Sequence, residues 1–329
     1  MCVTRADAGV QITPTGATAT ADISVSALDA VAAREDVTIR PLFGADQERM
    51  RAQAGVPSEH AGGDDATLET VDRMALFFHV DAPEDQLDEL AERLRASDAV
   101  EGAYVKPAAA LAVPDVVPKK KGEETEEAAY PLLNDMRPLG ADAPPVTPDF
   151  TARQGYLDAA PGGVDARYAW TLAGGRGAGV RVIDCEWGWR FTHEDLRLNQ
   201  GGIVSGTGST DTDHGTAVLG EIGGDVNAFG ITGIAPDAVT SASAFSIPTA
   251  TAIRHAADRL GPGDIILLEI HRAGPHATGV GQVGYIAVEW WPDDYLAIRY
   301  AVNKGITVVE AAGNGAEDLD HADYDTPRA

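Results

Sequence analysis

Between residues 179 and 314 the chain alternates two hydrophobic periods, and this alternation limits the fold more than any other feature. "GVRVID" (179–184), "AVTSASAF" (238–245), "DIILLEI" (264–270) and "ITVVEAAGN" (306–314) are short, strand-forming runs. Between them lie segments with apolar residues at helical spacing. One follows His214 and runs to about Gly223. A second, "ATAIRHAADRL" (250–260), is closed by Gly261 and Pro262. A third, "DDYLAIRYAVNKG" (293–305), has acids in front and Lys304–Gly305 behind. "DIILLEI" is too apolar to face water on either side. Strands of that kind need cover on both faces, so the pattern predicts an α/β unit over 151–329, built on a doubly wound parallel sheet with helices on both faces. In such sheets chemistry gathers at the carboxyl ends of the strands.

The preceding residues are organised differently. From 21 to 107 the chain reads as a small α+β unit. "MALFFHV" (74–80) is a strand. "APEDQLDELAERLRAS" (82–97) is a helix with Leu87, Leu90 and Leu94 on one face and Pro83 in its first turn. "AVEGAYVKP" (99–107) is a strand that ends at a proline. "ISVSALDAVAARED" and "VTIRPLF" supply a first helix or strand and a further strand. Residues 1–20 are small and polar and read as a disordered terminus. Residues 108–150, with seven prolines from Pro114 to Pro148 and the charge block "PKKKGEETEEAAYP", read as an exposed linker.

Bulk properties exclude several classes of partner. The formal net charge of −26 repels nucleic-acid phosphates and anionic lipid, so neither nucleic acid nor membrane is an expected partner. No apolar run reaches the length of a transmembrane helix. The two cysteines, Cys2 and Cys185, make a disulfide framework improbable and leave the compartment unassigned.

Three residues at predicted element ends can work together. Asp184 closes a buried strand, His214 opens a helix, and Asn314 closes another strand inside "AAGNG". A carboxylate that orients an imidazole, an imidazole that acts as general base, and an amide that donates to a developing oxyanion make up the machinery of acyl transfer. Taken singly, each residue is equally a cap, a packed core residue or a turn. Taken together, in this order, they favour catalysis.

At these residues the chain resembles the subtilisin-like serine peptidases. "GVRVIDCEWGWRFTHEDL" resembles that family's aspartate segment and "DHGTAVLGEIGG" its histidine segment. "GITGIAPDA" (230–238) resembles the stretch after the histidine helix, and "ITVVEAAGNG" the oxyanion asparagine segment. The likeness covers about 165 to 315. It implies a subtilisin-like sheet and an endopeptidase acting on a polypeptide substrate through an Asp-His-Ser triad. Asp184 would be the orienting acid, His214 the base and Asn314 an oxyanion donor. Residues 70–107 also resemble the family's propeptide, a ferredoxin-like α+β domain that chaperones folding and blocks the cleft; this makes the chain's own 21–107 unit a partner of the α/β unit. Self-processing between about 107 and 150 would follow. Asp195 and Asn227 match positions that bind structural calcium in many family members, a setting that suits oxygen ligands. Family members are commonly exported, although no secretory leader is visible at the start of this sequence.

The sequence departs from the family in three places. Cys185, Glu186 and Trp187 follow Asp184 where small residues are usual. "EIHRAGP" stands where a Ser-Leu-Gly-like edge is expected, so Glu269 either biases the specificity pocket towards a basic side chain, pairs with Arg272, or faces solvent. Most important, no serine lies in a Gly-Thr-Ser turn: Ser24, Ser26, Ser58, Ser97, Ser205, Ser209, Ser241, Ser243 and Ser246 all fall elsewhere. The expectation is a subtilisin-like peptidase sequence cut short before its nucleophile and inactive as it stands. The alternatives are a non-catalytic inhibitor or chaperone and a peptide-binding pseudo-peptidase. A Rossmann-type nucleotide enzyme is disfavoured, because the glycines of "LAGGRGAGV" (172–180) precede a strand instead of following one.

Overall fold

Cys2, Val3 and Thr4 are buried because they form the inner strand of a sheet. The computed structural model describes residues 1–13, 16–44, 50, 64–112 and 147–324. In it the first unit comprises β1 (Cys2–Thr4), the hairpin β2 (Gln11–Thr13) and β3 (Gly16–Thr18), α1 (Ser26–Ala32), β4 (Thr38–Pro41), α2 (Asp64–Met74), β5 (Phe77–Asp81), α3 (Leu87–Arg95) and β6 (Val100–Ala103). Its main sheet is antiparallel, in the order β4-β5-β1-β6. Residues 1–20 are therefore not the disordered terminus that their composition suggests. They hold three strands, each of three residues, too short to print a periodicity, and the partners of β1 lie more than seventy residues away.

Successive residues of β5 show how the sheet is covered. Phe78 joins Leu28 and Val31 of α1 and Leu90 and Leu94 of α3 in one core. Phe77 points to the opposite face, where Val3, Leu42 and Phe43 share a core with the second unit. The sheet thus packs on helices of its own on one side and on the α/β unit on the other.

The linker read over 108–150 is also partly structured. Residues 109–111 form β7 (Ala109–Leu111), and from Pro148 the chain is tied down again, with the Phe150 amide donating to the Gly230 carbonyl at 2.8 Å. The charge block of that segment lies outside the described residues.

The second unit follows the predicted alternation. It contains β8 (Arg181–Glu186), β9 (Gln200–Ser205), α4 (Asp213–Gly223), β10 (Val239–Ala244), α5 (Thr249–Arg259), β11 (Ile265–Leu268), β12 (Ile270–Ala273), β13 (Tyr285–Ala287), α6 (Pro292–Asn303) and β14 (Thr307–Glu310). Five strands form an all-parallel sheet in the order β14-β11-β8-β10-β9. Strand β9 occupies "GGIVS", a stretch whose glycines suggest a loop. From β8 the chain runs to the edge strand β9, returns to β10 beside β8, and then crosses to β11 and β14 on the other side, so the carboxyl end of β8 lies where the winding changes direction. Ile183 and Cys185 of β8 face the alanine-rich helices α5 and α6. On the other face Ala242 and Ala244 of β10 pack with Leu219 of α4 and Trp189. Small side chains at these contacts let the helices lie close to the sheet.

A third, antiparallel sheet joins the two units. β7 pairs with β12, and β12 pairs with β13. Beneath it lies a buried charge cluster. Lys106 Nζ is 2.5 Å from Asp293 and 2.7 Å from Asp294, both in the first turn of α6. The Tyr104 hydroxyl donates to Asp293 at 2.8 Å, and Arg272 of β12 reaches Asp294 at 3.3 Å. Removing one partner of a buried pair strands the other charge, at a cost of about 3–5 kcal/mol. Lys106→Met is therefore expected to lower the unfolding free energy by about 3–5 kcal/mol, read by denaturant unfolding. A loss below about 1 kcal/mol would show that the acids do not depend on Lys106.

Candidate active site

The alternation of β8 sends Asp184 and Glu186 to the face opposite Ile183 and Cys185, where α4 begins. His214 sits in the first turn of α4. Its Nδ1 lies 2.6 Å from Glu186 Oε2. Asp184, the acid predicted from the sequence to orient the imidazole, is engaged elsewhere: the Trp189 indole N–H donates to its Oδ2 at 2.7 Å, and its Oδ1 has no hydrogen-bond partner among the described residues. The physical reason is reach. Two residues of strand advance about 6.6 Å, and that step carries a carboxylate from the buried middle of the sheet to its carboxyl rim.

Burial governs both acids. It pushes the fully buried Asp184 well above the ordinary carboxylate range, and the neighbouring Glu186 adds to the effect. It also raises Glu186 to about 8, helped by Glu269 and Asp211. Gly215 makes the arrangement possible. A Cβ there would run into Glu186 Oε1 and would lie 2.5 Å from the Gly188 carbonyl and 2.6 Å from the Trp189 ring. The histidine motif therefore needs glycine after His214 for steric reasons.

Glu269 lies just beyond β11, with Oε2 3.7 Å from His214 Nε2, on the side of the ring away from Glu186. It leaves Arg272 to Asp294. The strap formed by β7 crosses the same cleft. Ala109, Ala110 and Leu111 pair with Arg272, His271 and Ile270, and the Ala112 amide donates to the Glu269 carbonyl at 3.3 Å. The cleft, about 510 Å³, is lined by this strap together with Glu186, His214, Ser209, Asp211 and Gln282.

Asn314 follows β14 and is exposed. Its backbone N–H donates to His271 Nδ1 at 3.2 Å, and its Nδ2 donates to Gln282 Oε1 at 3.0 Å. It is thus linked to the cleft through Gln282. Asp195 and Asn227 also meet, with Asn227 Nδ2 donating to Asp195 Oδ1 at 2.8 Å. The Ile231 amide donates to Asp195 Oδ2 at 3.1 Å, and Asn227 Oδ1 accepts from the Phe229 amide at 2.9 Å. Each of these oxygens already faces an N–H donor. The pair as arranged braces a turn, and no chemistry is derived through a cation at it.

Sequence reasoning had passed over two contributors. Glu186 was visible as a departure from the small residues expected after Asp184, and strand alternation puts it on the same face as Asp184. The strap carries almost no signal, because two alanines and a leucine between prolines read as linker.

No family model matches the chain. A curated protein described as a thermophilic serine proteinase, from Bacillus sp. (strain AK1), is 33% identical over 183 residues. The match takes in 51% of this chain and 41% of that protein, so the chain spans less than half the relative's length. Among solved structures, fervidolysin from Fervidobacterium pennivorans, a keratinolytic enzyme related to subtilisin, aligns with a TM-score of 0.47 and 16% identity, over 85% of this chain and 40% of that one. MycP1 from Mycobacterium smegmatis aligns at 0.34 with 26% identity, over 55% and 52%. MycP3 protease from the type VII (ESX-3) secretion system aligns at 0.34 with 21% identity, over 53% and 52%. At these TM-scores the superpositions describe likeness and do not establish a shared fold.

The raised Glu186 gives a pH test with a definite sign. Between about 4.5 and about 8 the folded chain retains a proton on Glu186 that the unfolded chain has lost. The contribution of this site to stability is therefore present at low pH, falls as pH rises through that interval, and is flat above it. Glu186→Gln keeps the neutral shape. Its stability relative to the parent should rise with pH, by at most about 1.4 kcal/mol per unit, and level off above about 8. Denaturant unfolding of both proteins across this range checks the outcome, and a constant difference would count against the assignment.

Proposed function

We propose that the chain carries a propeptide-like unit and the N-terminal part of the catalytic domain of a subtilisin-like serine endopeptidase. The contact between His214 Nδ1 and Glu186 Oε2, at 2.6 Å on the carboxyl rim of a parallel sheet, carries this reading. The similarity to the thermophilic serine proteinase supports it. In its ionised form Glu186 accepts from His214 Nδ1, orients the imidazole and stabilises its protonated form, the role that the sequence assigns to Asp184. Asp184 braces Trp189 beneath it. His214 Nε2 is the base that takes the proton from a serine as that serine attacks the scissile carbonyl. Asn314, released from Gln282, donates its amide to the oxyanion.

In this reading the β4-β5-β1-β6 unit is the ferredoxin-like propeptide, and the strap previews the substrate. A peptide replacing Ala109–Leu111 would add to the same edge of β12, with its main chain held by strand pairing. Processing between residues 107 and 150 would free that edge. The 329 residues hold no serine in a Gly-Thr-Ser turn, so in this reading the attacking serine is not among them.

The test is the natural polypeptide that contains these residues. It should take a fluorophosphonate label on a serine in a Gly-Thr-Ser turn, and His214→Ala should abolish labelling. Labelling indifferent to His214 overturns the reading. Absence of label combined with tight inhibition of a related peptidase by the 329-residue chain favours the non-catalytic alternative. The same active protein tests Glu269, whose carboxylate lies 3.7 Å from His214 Nε2 while Arg272 pairs with Asp294. Glu269 is proposed to favour a basic substrate side chain. Peptide-library cleavage should then prefer Lys or Arg and lose that preference in Glu269→Gln, and a profile indifferent to both residues rejects the assignment.

A further inference from the structure

A second group of histidines and acids lies outside the cleft. His276 is in the loop between β12 and β13. Glu317, His321, Asp323 and Tyr324 lie in the segment after β14. His276 Nε2 is 2.8 Å from Asp323 Oδ2, and His321 Nδ1 is 3.6 Å from the same oxygen. One donor atom from each of these three residues lies within 4.8 Å of the others. We propose that His276, His321 and Asp323 bind a zinc-class divalent cation, which clamps residues 317–324 onto the β12–β13 loop.

Three features point to a cation. The first is spacing. Tetrahedral zinc ligands at about 2.0–2.1 Å stand about 3.4 Å apart, and the separations here bracket that value. Closure needs side-chain adjustments of about 1 Å.

The second is the orientation of the rings. His276 Nδ1 lies 2.7 Å from Glu317 Oε2, which also accepts from the Tyr324 hydroxyl at 2.6 Å. A histidine whose other nitrogen donates to a carboxylate is fixed in the tautomer and orientation that ligation requires. His321 Nδ1 accepts the Asp323 amide at 3.3 Å, a long bond that ligation through this nitrogen would replace. Tyr324 packs edge-on to His276 and to Trp290, which holds the segment in place.

The third is ligand chemistry. Two imidazoles and one carboxylate suit zinc and its neighbours, not calcium or magnesium, which take oxygen ligands. Three protein ligands leave a position for water. The cation joins two segments that are adjacent in space and distant in sequence, and the His276 loop leads to Gln282, which holds Asn314. None of the three ligands is among the residues assigned to peptide hydrolysis.

The experiment is isothermal titration of zinc chloride into the full 329-residue chain after treatment with chelator, with cobalt(II) absorption as a spectroscopic check. One equivalent should bind to the parent, with a tetrahedral cobalt spectrum. His276→Ala and His321→Ala should each weaken binding by at least about 100-fold, and Glu317→Gln by about 10–100-fold at unchanged stoichiometry. His214→Ala should bind like the parent, which separates this site from the Glu186–His214–Glu269 group. The ligands are exposed, so the two alanine variants should melt with the parent in chelator, and zinc should raise the melting temperature of the parent alone. Absence of binding by the parent, or parental affinity in either alanine variant, overturns the proposal.

Discussion

Asp293 and Asp294 are adjacent, fully buried acids, and the way their charge is met determines how the two units fit together. An isolated carboxylate in such a place would be prohibitively costly, so its partners must be in position whenever the fold is formed. The partners come from separate parts of the chain. Lys106 and Tyr104 arrive from the end of the first unit, Arg272 from β12, and the N-terminal turn of α6 adds its own dipole. Burial pushes both acids upward. Lys106 and Tyr104 nevertheless hold Asp293 below the ordinary range, while Asp294, beside Asp293, stays above it. The two acids are thus pushed in opposite directions, which disfavours two adjacent unscreened charges.

The cleft inherits its geometry from this cluster. Arg272 binds Asp294 and also donates to the Pro107 carbonyl, so the chain leaves the first unit alongside β12. Two residues later the strap begins to pair with that strand. His271, next to Arg272, fixes the Asn314 backbone through its Nδ1. A single strand therefore positions the charge cluster, the strap and the asparagine loop, and β8 positions Glu186 against His214 from beneath. The first unit reaches the cleft through hydrogen-bonded strands and a buried ion pair.

The sequence made the second unit legible because its strands are long enough to show their period and their cover. β8, β10, β11, β14 and all three predicted helices lie where the alternation places them. It was uninformative where an element is made by its partners. β1 and β7 are three residues each, and nothing local distinguishes a central strand or a cleft-crossing strap from a loop. The rim of the sheet was legible as a location, and His214 at the start of α4 followed from it. The identity of the acid did not follow, because alternation gives Asp184 and Glu186 the same face and only height along the strand separates them.

That height explains why the chain tolerates two acids so close together. Asp184 lies in the buried layer, where a carboxylate would be unsolvated. Burial pushes its carboxyl well above the ordinary range and the Trp189 indole satisfies one oxygen, so it serves as a structural brace. Glu186 lies at the rim, against an imidazole that can share its proton. The two acids differ in solvation and in partner, and they divide structural and chemical work along one strand. Glycine at 215 follows from the same geometry, since the longer Glu186 side chain fills the volume that a Cβ would need. Side-chain length and strand register together decide which carboxylate meets the histidine.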